Sequence, residues 1–163
     1  MKYIFSLLAI CFLILIQTSF LWIWFHFSFN LILIGVILLF WFGEKYLSLF
    51  WASVGGIFLD LVSGAVWGVF AISLIACWLI LVILDKIFTF DKILALALVL
   101  LLAPFFQNLI FWLIFYFANH PLNFGAIVLI SCWEGVISMV LGLVLAWYYT
   151  RKIKEKSEFV FER

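Results

Sequence analysis

Two acidic residues, Asp60 and Glu134, and three carboxamides, Gln17, Gln107 and Asn108, lie inside long apolar runs of a 163-residue chain. In hydrocarbon such groups could bond to one another across helices, relay a proton, or line a polar pocket. A charged side chain at the centre of a bilayer costs about 2.5–3.5 kcal/mol on insertion scales, so each carboxyl group needs a reason to be there. No Lys or Arg accompanies them within the runs. Other reactive residue types are scattered. His26 and His120 fall in separate polar interruptions, with no nucleophile or metal-ligand cluster beside either. Cys11, Cys77 and Cys132 sit singly in apolar runs and read as small packing groups. The sequence has no Gly-rich phosphate loop, no GxSxG and no HExxH. Neither a catalytic residue, nor a cofactor-binding set, nor a metal site is expected. Interhelical bonding is favoured over partner binding, and both over a proton or substrate path.

The elements that must hold these residues follow from composition. Apolar residues make up 70% of the chain and charged residues 10%, against about 45–50% and 25% in soluble domains. A soluble domain, a disordered chain and a small disulfide scaffold are all excluded. The expected fold is an all-α polytopic membrane protein with six transmembrane helices and both termini cytoplasmic. The spans are Tyr3–Phe25, Leu31–Phe42, Leu47–Val62, Gly68–Leu84, Ile93–Phe117 and Phe124–Tyr149. Residues 1–150 form one six-helix membrane domain, and 151–163 a short basic cytoplasmic tail that anchors topology. The first run is too long for a signal-peptide core and reads as the first span. Spans two and three fall short of the roughly 20 residues a crossing needs, so they use flanking residues or a thinner region. A break at Ser63-Gly64 is required, because one helix over Leu47–Leu84 would be roughly 57 Å long.

Charge placement supports this threading. With both ends inside, the cytoplasmic segments hold Lys2, Lys45, Lys86, Lys92, Arg151, Lys152, Lys154, Lys156 and Arg163, which are all nine Lys and Arg residues. Trp22, Trp24, Trp67, Trp112 and Tyr116 fall near the outer boundary, and Tyr3, Trp41, Tyr46, Trp51 and Trp147–Tyr149 near the inner one. Nothing in the net charge of +1 suggests a nucleic-acid partner.

Depth groups the polar residues. Gln17 and Asp60 lie roughly 21 Å, and Gln107 and Asn108 roughly 21–23 Å, from the cytoplasmic start of their spans. Glu134 is roughly 15 Å below the outer surface. The expectation is one polar layer, most of whose members face the bundle and bond to one another. Two small-residue stripes accompany it: Ser48, Ala52, Gly56 and Asp60, continued by Gly64 and Gly68, and Glu134, Ser138, Gly142 and Ala146. Such faces let helix backbones approach closely, so both are expected to be buried, in the bundle or against a partner helix. Pro104 in span five removes a backbone donor and is expected to kink its helix.

The segment from Ser53 to Leu79, SVGGIFLDLVSGAVWGVFAISLIACWL, resembles the centre of the bacterial rod shape-determining protein MreD family. The resemblance lies in Gly55, Gly56, Leu59, Asp60, Leu61, Ser63, Gly64, Gly68, Ala71, Ser73 and Ala76. Gln17 and Asn30-Leu31 also look like the family, while Phe29 stands where it often has Pro. The resemblance implies a non-enzymatic component of the cell-elongation machinery in the bacterial cytoplasmic membrane. It would act with a bitopic MreC-like protein, and indirectly with MreB and with RodA and its transpeptidase, in organising peptidoglycan synthesis and cell shape. It further implies that Asp60 and the Gly56–Gly68 hairpin are the family's structural device, and that no small-molecule substrate is bound. The alternative is a small-molecule-binding subunit similar to the substrate-capture component of an energy-coupling-factor transporter, with the polar layer lining its pocket. Against it, Ala9 is followed by Leu13 where an AxxxA coupling motif would stand. An ion channel resting on two carboxylates is weaker still.

Overall fold

A computed structural model describes residues 2–21, 30–63, 67–87, 92–117 and 123–161. For residues 2, 20–21, 87, 92–94 and 152–161 the description covers the backbone course alone. Gly64, Trp22, Trp24, His26, Asp91, His120, Glu162 and Arg163 lie outside the described residues.

Among the described residues every regular element is helical. Helix α1 is Lys2–Leu15, prolonged by a π-helical turn over Ile16–Leu21. Then come α2 (Leu31–Trp41), α3 (Lys45–Ser63), α4 (Val69–Ile87), α5 (Lys92–Phe117) and α6 (Phe124–Phe161).

Helix α2 organises the bundle. Its sequence, LILIGVILLFW, is apolar on every side, which is the pattern of a helix surrounded by protein. It packs against all five other helices, and Ile32, Leu33, Ile34, Val36, Ile37 and Phe40 are buried. Close contacts fix its partner α3: the Trp51 ring lies on Gly35, Ile32 lies on Gly55, and the Ser48 hydroxyl donates to the Val36 carbonyl at 2.7 Å.

Helix ends sort into two groups. Tyr3 at the start of α1 meets Phe50 near the start of α3, with ring centres 5.3 Å apart. Phe42 beyond the end of α2 meets Tyr149 of α6 at 4.4 Å. Lys45 opening α3 pairs with Asp85 closing α4 at 2.6 Å. At the opposite end Phe70 of α4 meets Phe111 of α5, and Trp112 of α5 meets Phe124 of α6. Successive helices therefore run up and down.

Helix lengths bear out four of the six expected spans. Among the described residues four helices are long and apolar enough to cross a membrane: Lys45–Ser63, Val69–Lys86, Ala95–Phe117 and Phe124–Arg151. The apolar stretches Tyr3–Ser19 and Leu31–Trp41 are shorter. The 11 residues of α2 rise only about 16 Å, roughly half the hydrocarbon thickness. Protein on all sides is what permits so short a helix, because its ends find hydrogen-bond partners inside the bundle. At its C-terminal end the amides of Phe42, Gly43 and Glu44 bond back to Leu38, Phe40 and Leu39, with Gly43 at φ +86° making the turn.

The last helix contains its expected span and runs beyond it. It does not stop at Tyr149 but continues through the charged residues to Phe161. Lys, Arg and Glu are good helix formers, and Arg151–Glu155 and Lys154–Glu158 have the spacing that supports a helix. Helix α5 likewise continues through Pro104.

Candidate functional site

Asp60 joins α3 to the start of α4. The Phe70 amide donates to its Oδ1 at 2.8 Å and the Ala71 amide to its Oδ2 at 3.2 Å. The first four amides of a helix have no intrahelical acceptor, and an N-cap side chain normally serves the second or third. Phe70 and Ala71 are those residues of α4, but the residue before the helix is Gly68, which has no side chain to offer. The preceding helix supplies one instead. In an apolar medium an unserved amide costs several kcal/mol, so a carboxyl group buried to 3% exposure has a sufficient task here. The positive end of the α4 dipole also favours an acidic group at this place.

Two glycines make that reach possible. Gly56 lies one turn before Asp60, and a Cβ there would stand 2.4 Å from the Ala71 Cα and 2.8 Å from its N. The backbones of α3 and α4 touch at this point. Gly68 has φ +91°, which L side chains rarely adopt, and its carbonyl accepts the first α4 bond, from Ile72, at 2.8 Å. Ser63 is exposed at the end of α3, with its hydroxyl 3.4 Å from the Asp60 backbone carbonyl.

Gln17 acts on α2 as Asp60 acts on α4. From the π-helical turn its Oε1 accepts the Leu31 amide at 3.1 Å. Asn30, the N-cap, accepts the Ile32 and Leu33 amides at 3.0 and 3.2 Å. The first three amides of α2 are thus served by two carboxamides. A π-helical turn fits one extra residue into the helix and re-aims its side chains.

The third set lies between α5 and α6. The Asn108 amino group donates to Glu134 Oε2 at 2.6 Å and to Ser131 Oγ at 3.1 Å. Ser131 in turn donates to the Ile127 carbonyl at 2.7 Å. Gln107, beside Asn108, is buried at 5% exposure. The stripe of Glu134, Ser138, Gly142 and Ala146 is buried throughout. A Cβ on Gly142 would meet the Leu100 side chain at 2.5 Å, whereas one on Gly135 would meet the Leu101 carbonyl oxygen at 2.5 Å. The α5 and α6 backbones therefore touch at Gly135.

The expected single polar layer is three separate sets. Gln17 and Asp60 turn to backbone amides at helix starts, and Asn108 and Glu134 bond to one another. Unserved amides in hydrocarbon are the stronger demand, and they take the available acceptors. Ser48, Ala52, Gly56 and Asp60 are buried within the bundle, as is the second stripe, while Gly68 is half-buried. Sequence reading overlooked Ser131, one turn before Glu134, and Gly135, one residue off the stripe. Among the described residues no three His, Cys, Asp or Glu side chains come together to hold a metal. No protein-family model, curated protein or solved structure matches this chain.

Proposed function

We propose that this chain is a non-enzymatic membrane component of the bacterial cell-elongation machinery, similar to the MreD family, that holds an MreC-like bitopic protein. Through that protein it acts with MreB and with RodA and its transpeptidase in organising peptidoglycan synthesis. Its setting is the bacterial cytoplasmic membrane, crossed six times with both termini inside. The α3–α4 hairpin carries the reading. Gly56, Asp60 and Gly68, on which the family resemblance rests, each have a defined task there: close approach, capping and turning. The polar side chains point the same way, because Gln17 and Asp60 are engaged by backbone amides and Glu134 by Asn108.

Six crossings fit the sorted helix ends, since Tyr3, Lys45, Asp85 and Tyr149 share one end of the bundle. Helix α2 is accommodated by surrounding protein, and α1, whose Phe5, Leu8, Phe12 and Leu15 are exposed, by its π-helical extension and a locally thinner bilayer. With both glycine-bearing faces inside, the single span of an MreC-like partner meets the lipid-facing surface rather than Gly56 or Gly142. The test is purification of the full chain from its native membrane in mild detergent, with identification of what accompanies it. Recovery of an MreC-like protein and cell-wall synthases is the expected result. Recovery of an ATPase module and a bound vitamin would overturn the reading and favour a substrate-capture subunit.

A further inference from the structure

Helix α6 is longer than a bilayer is thick, and its chemistry changes at a defined height. From Phe124 to Arg151 it rises about 40 Å, against about 30 Å for the hydrocarbon core and 40–45 Å with both headgroup layers. With Phe124 at one interface, the turn from Trp147 to Arg151 reaches the headgroups of the other. Trp147, Tyr148 and Tyr149 stand exposed there. Arg151 is exposed too, its guanidinium 5.5 Å from the centre of the Trp147 ring. That contact orients a group whose paired donors suit a phosphate. The helix then continues, so Lys152, Lys154 and Lys156 follow Arg151 within roughly 8 Å of rise, with Glu155 the one acid among them.

We infer that the Trp147–Lys156 segment of α6 is a docking site for anionic phospholipid headgroups. The Trp147 ring sits at the boundary of acyl chain and headgroup, Arg151 bonds the phosphodiester, and the lysines that follow draw in further anionic lipid. A zwitterionic headgroup offers the same phosphate but carries a cation that four like charges repel. This inference stands apart from the identity of any protein partner.

The full chain is reconstituted in nanodiscs of equal phosphatidylglycerol and phosphatidylcholine, and the lipids it keeps on gentle detergent extraction are counted by native mass spectrometry. The expected result is retention of phosphatidylglycerol over phosphatidylcholine by roughly fivefold or more, the scale of even one basic residue at an anionic surface. Near parity is expected for the combined variant R151Q/K152Q/K154Q/K156Q. Its basic run also orients the last helix, so a second arm uses Trp147→Leu and extraction of the parent chain at about 1 M rather than 0.15 M salt. Enrichment should fall in both. Equal retention of the two lipids by the parent chain would overturn the inference, as would enrichment that neither Trp147→Leu nor salt reduces. Displacement of the retained lipid by excess glycerophosphate would reassign the site to a soluble phosphate and also overturn it.

Discussion

Asp60 shows how one carboxyl group can be required without performing chemistry. Replacing it with Ala leaves two amides of α4 unserved, at an expected cost of about 2–4 kcal/mol. Asp60→Asn keeps one carbonyl acceptor and should lose about half as much. Unfolding of the purified variants in detergent by added SDS measures the difference. The same reasoning ranks the glycines. Gly56→Ala drives a methyl group into the Ala71 backbone, which cannot yield without separating α3 from α4, and about 1–3 kcal/mol is expected. Gly142→Ala meets the flexible end of Leu100 and should cost less than about 1 kcal/mol by the same assay. At Glu134, Gln retains an acceptor for Asn108 while Leu does not. Thermal unfolding should therefore find Glu134→Gln close to the parent and Glu134→Leu weaker by about 1–3 kcal/mol.

At the scale of the element, the hairpin of α3 and α4 was the most legible part of the sequence. A carboxyl group at Asp60, a helix breaker after Ser63 and glycines four residues apart are all local signals. What the spacing did not reveal is the acceptor's target, since backbone amides are the same in every sequence. Gln17 was legible as a polar group within an apolar run, but its bond to Leu31 joins residues 14 apart and depends on a π-helical turn that has no local signature. Gly135 was hidden because a neighbouring stripe of small residues drew attention to Gly142, whose contact is with a side chain rather than backbone. Helix α6 runs on past its expected span into the basic tail, because the charges that mark a tail also favour helix when they stand at i and i+4. Gly68 offers a test at this scale. A β-carbon at φ +91° is strained, so Gly68→Ala should weaken the fold by about 1 kcal/mol or more, seen as a lowered Tm, while Gly125→Ala, on an exposed helical turn, should not.

At the scale of the whole molecule, composition established a helical membrane protein and charge placement ordered its ends, while burial decided how long each helix has to be. Helix α2 is short because the other helices surround it. The up-and-down arrangement gives a direct expectation for labelling. With the native cysteines removed, Glu44→Cys should react with an impermeant maleimide only from the cytoplasmic side and Asn123→Cys only from outside; reaction of both from one side would contradict six crossings. Within the bundle, polar side chains of one helix close the first turn of the next at two places, Gln17 on α2 and Asp60 on α4. The most direct measurement is hydrogen exchange at the Phe70 and Ala71 amides in the parent chain and in Asp60→Ala. Both amides should lose protection in the variant, while those of Ile32 and Leu33, capped by Asn30, keep theirs. Unchanged exchange at Phe70 and Ala71 would mean that Asp60 does not close α4, and would contradict the role given to it.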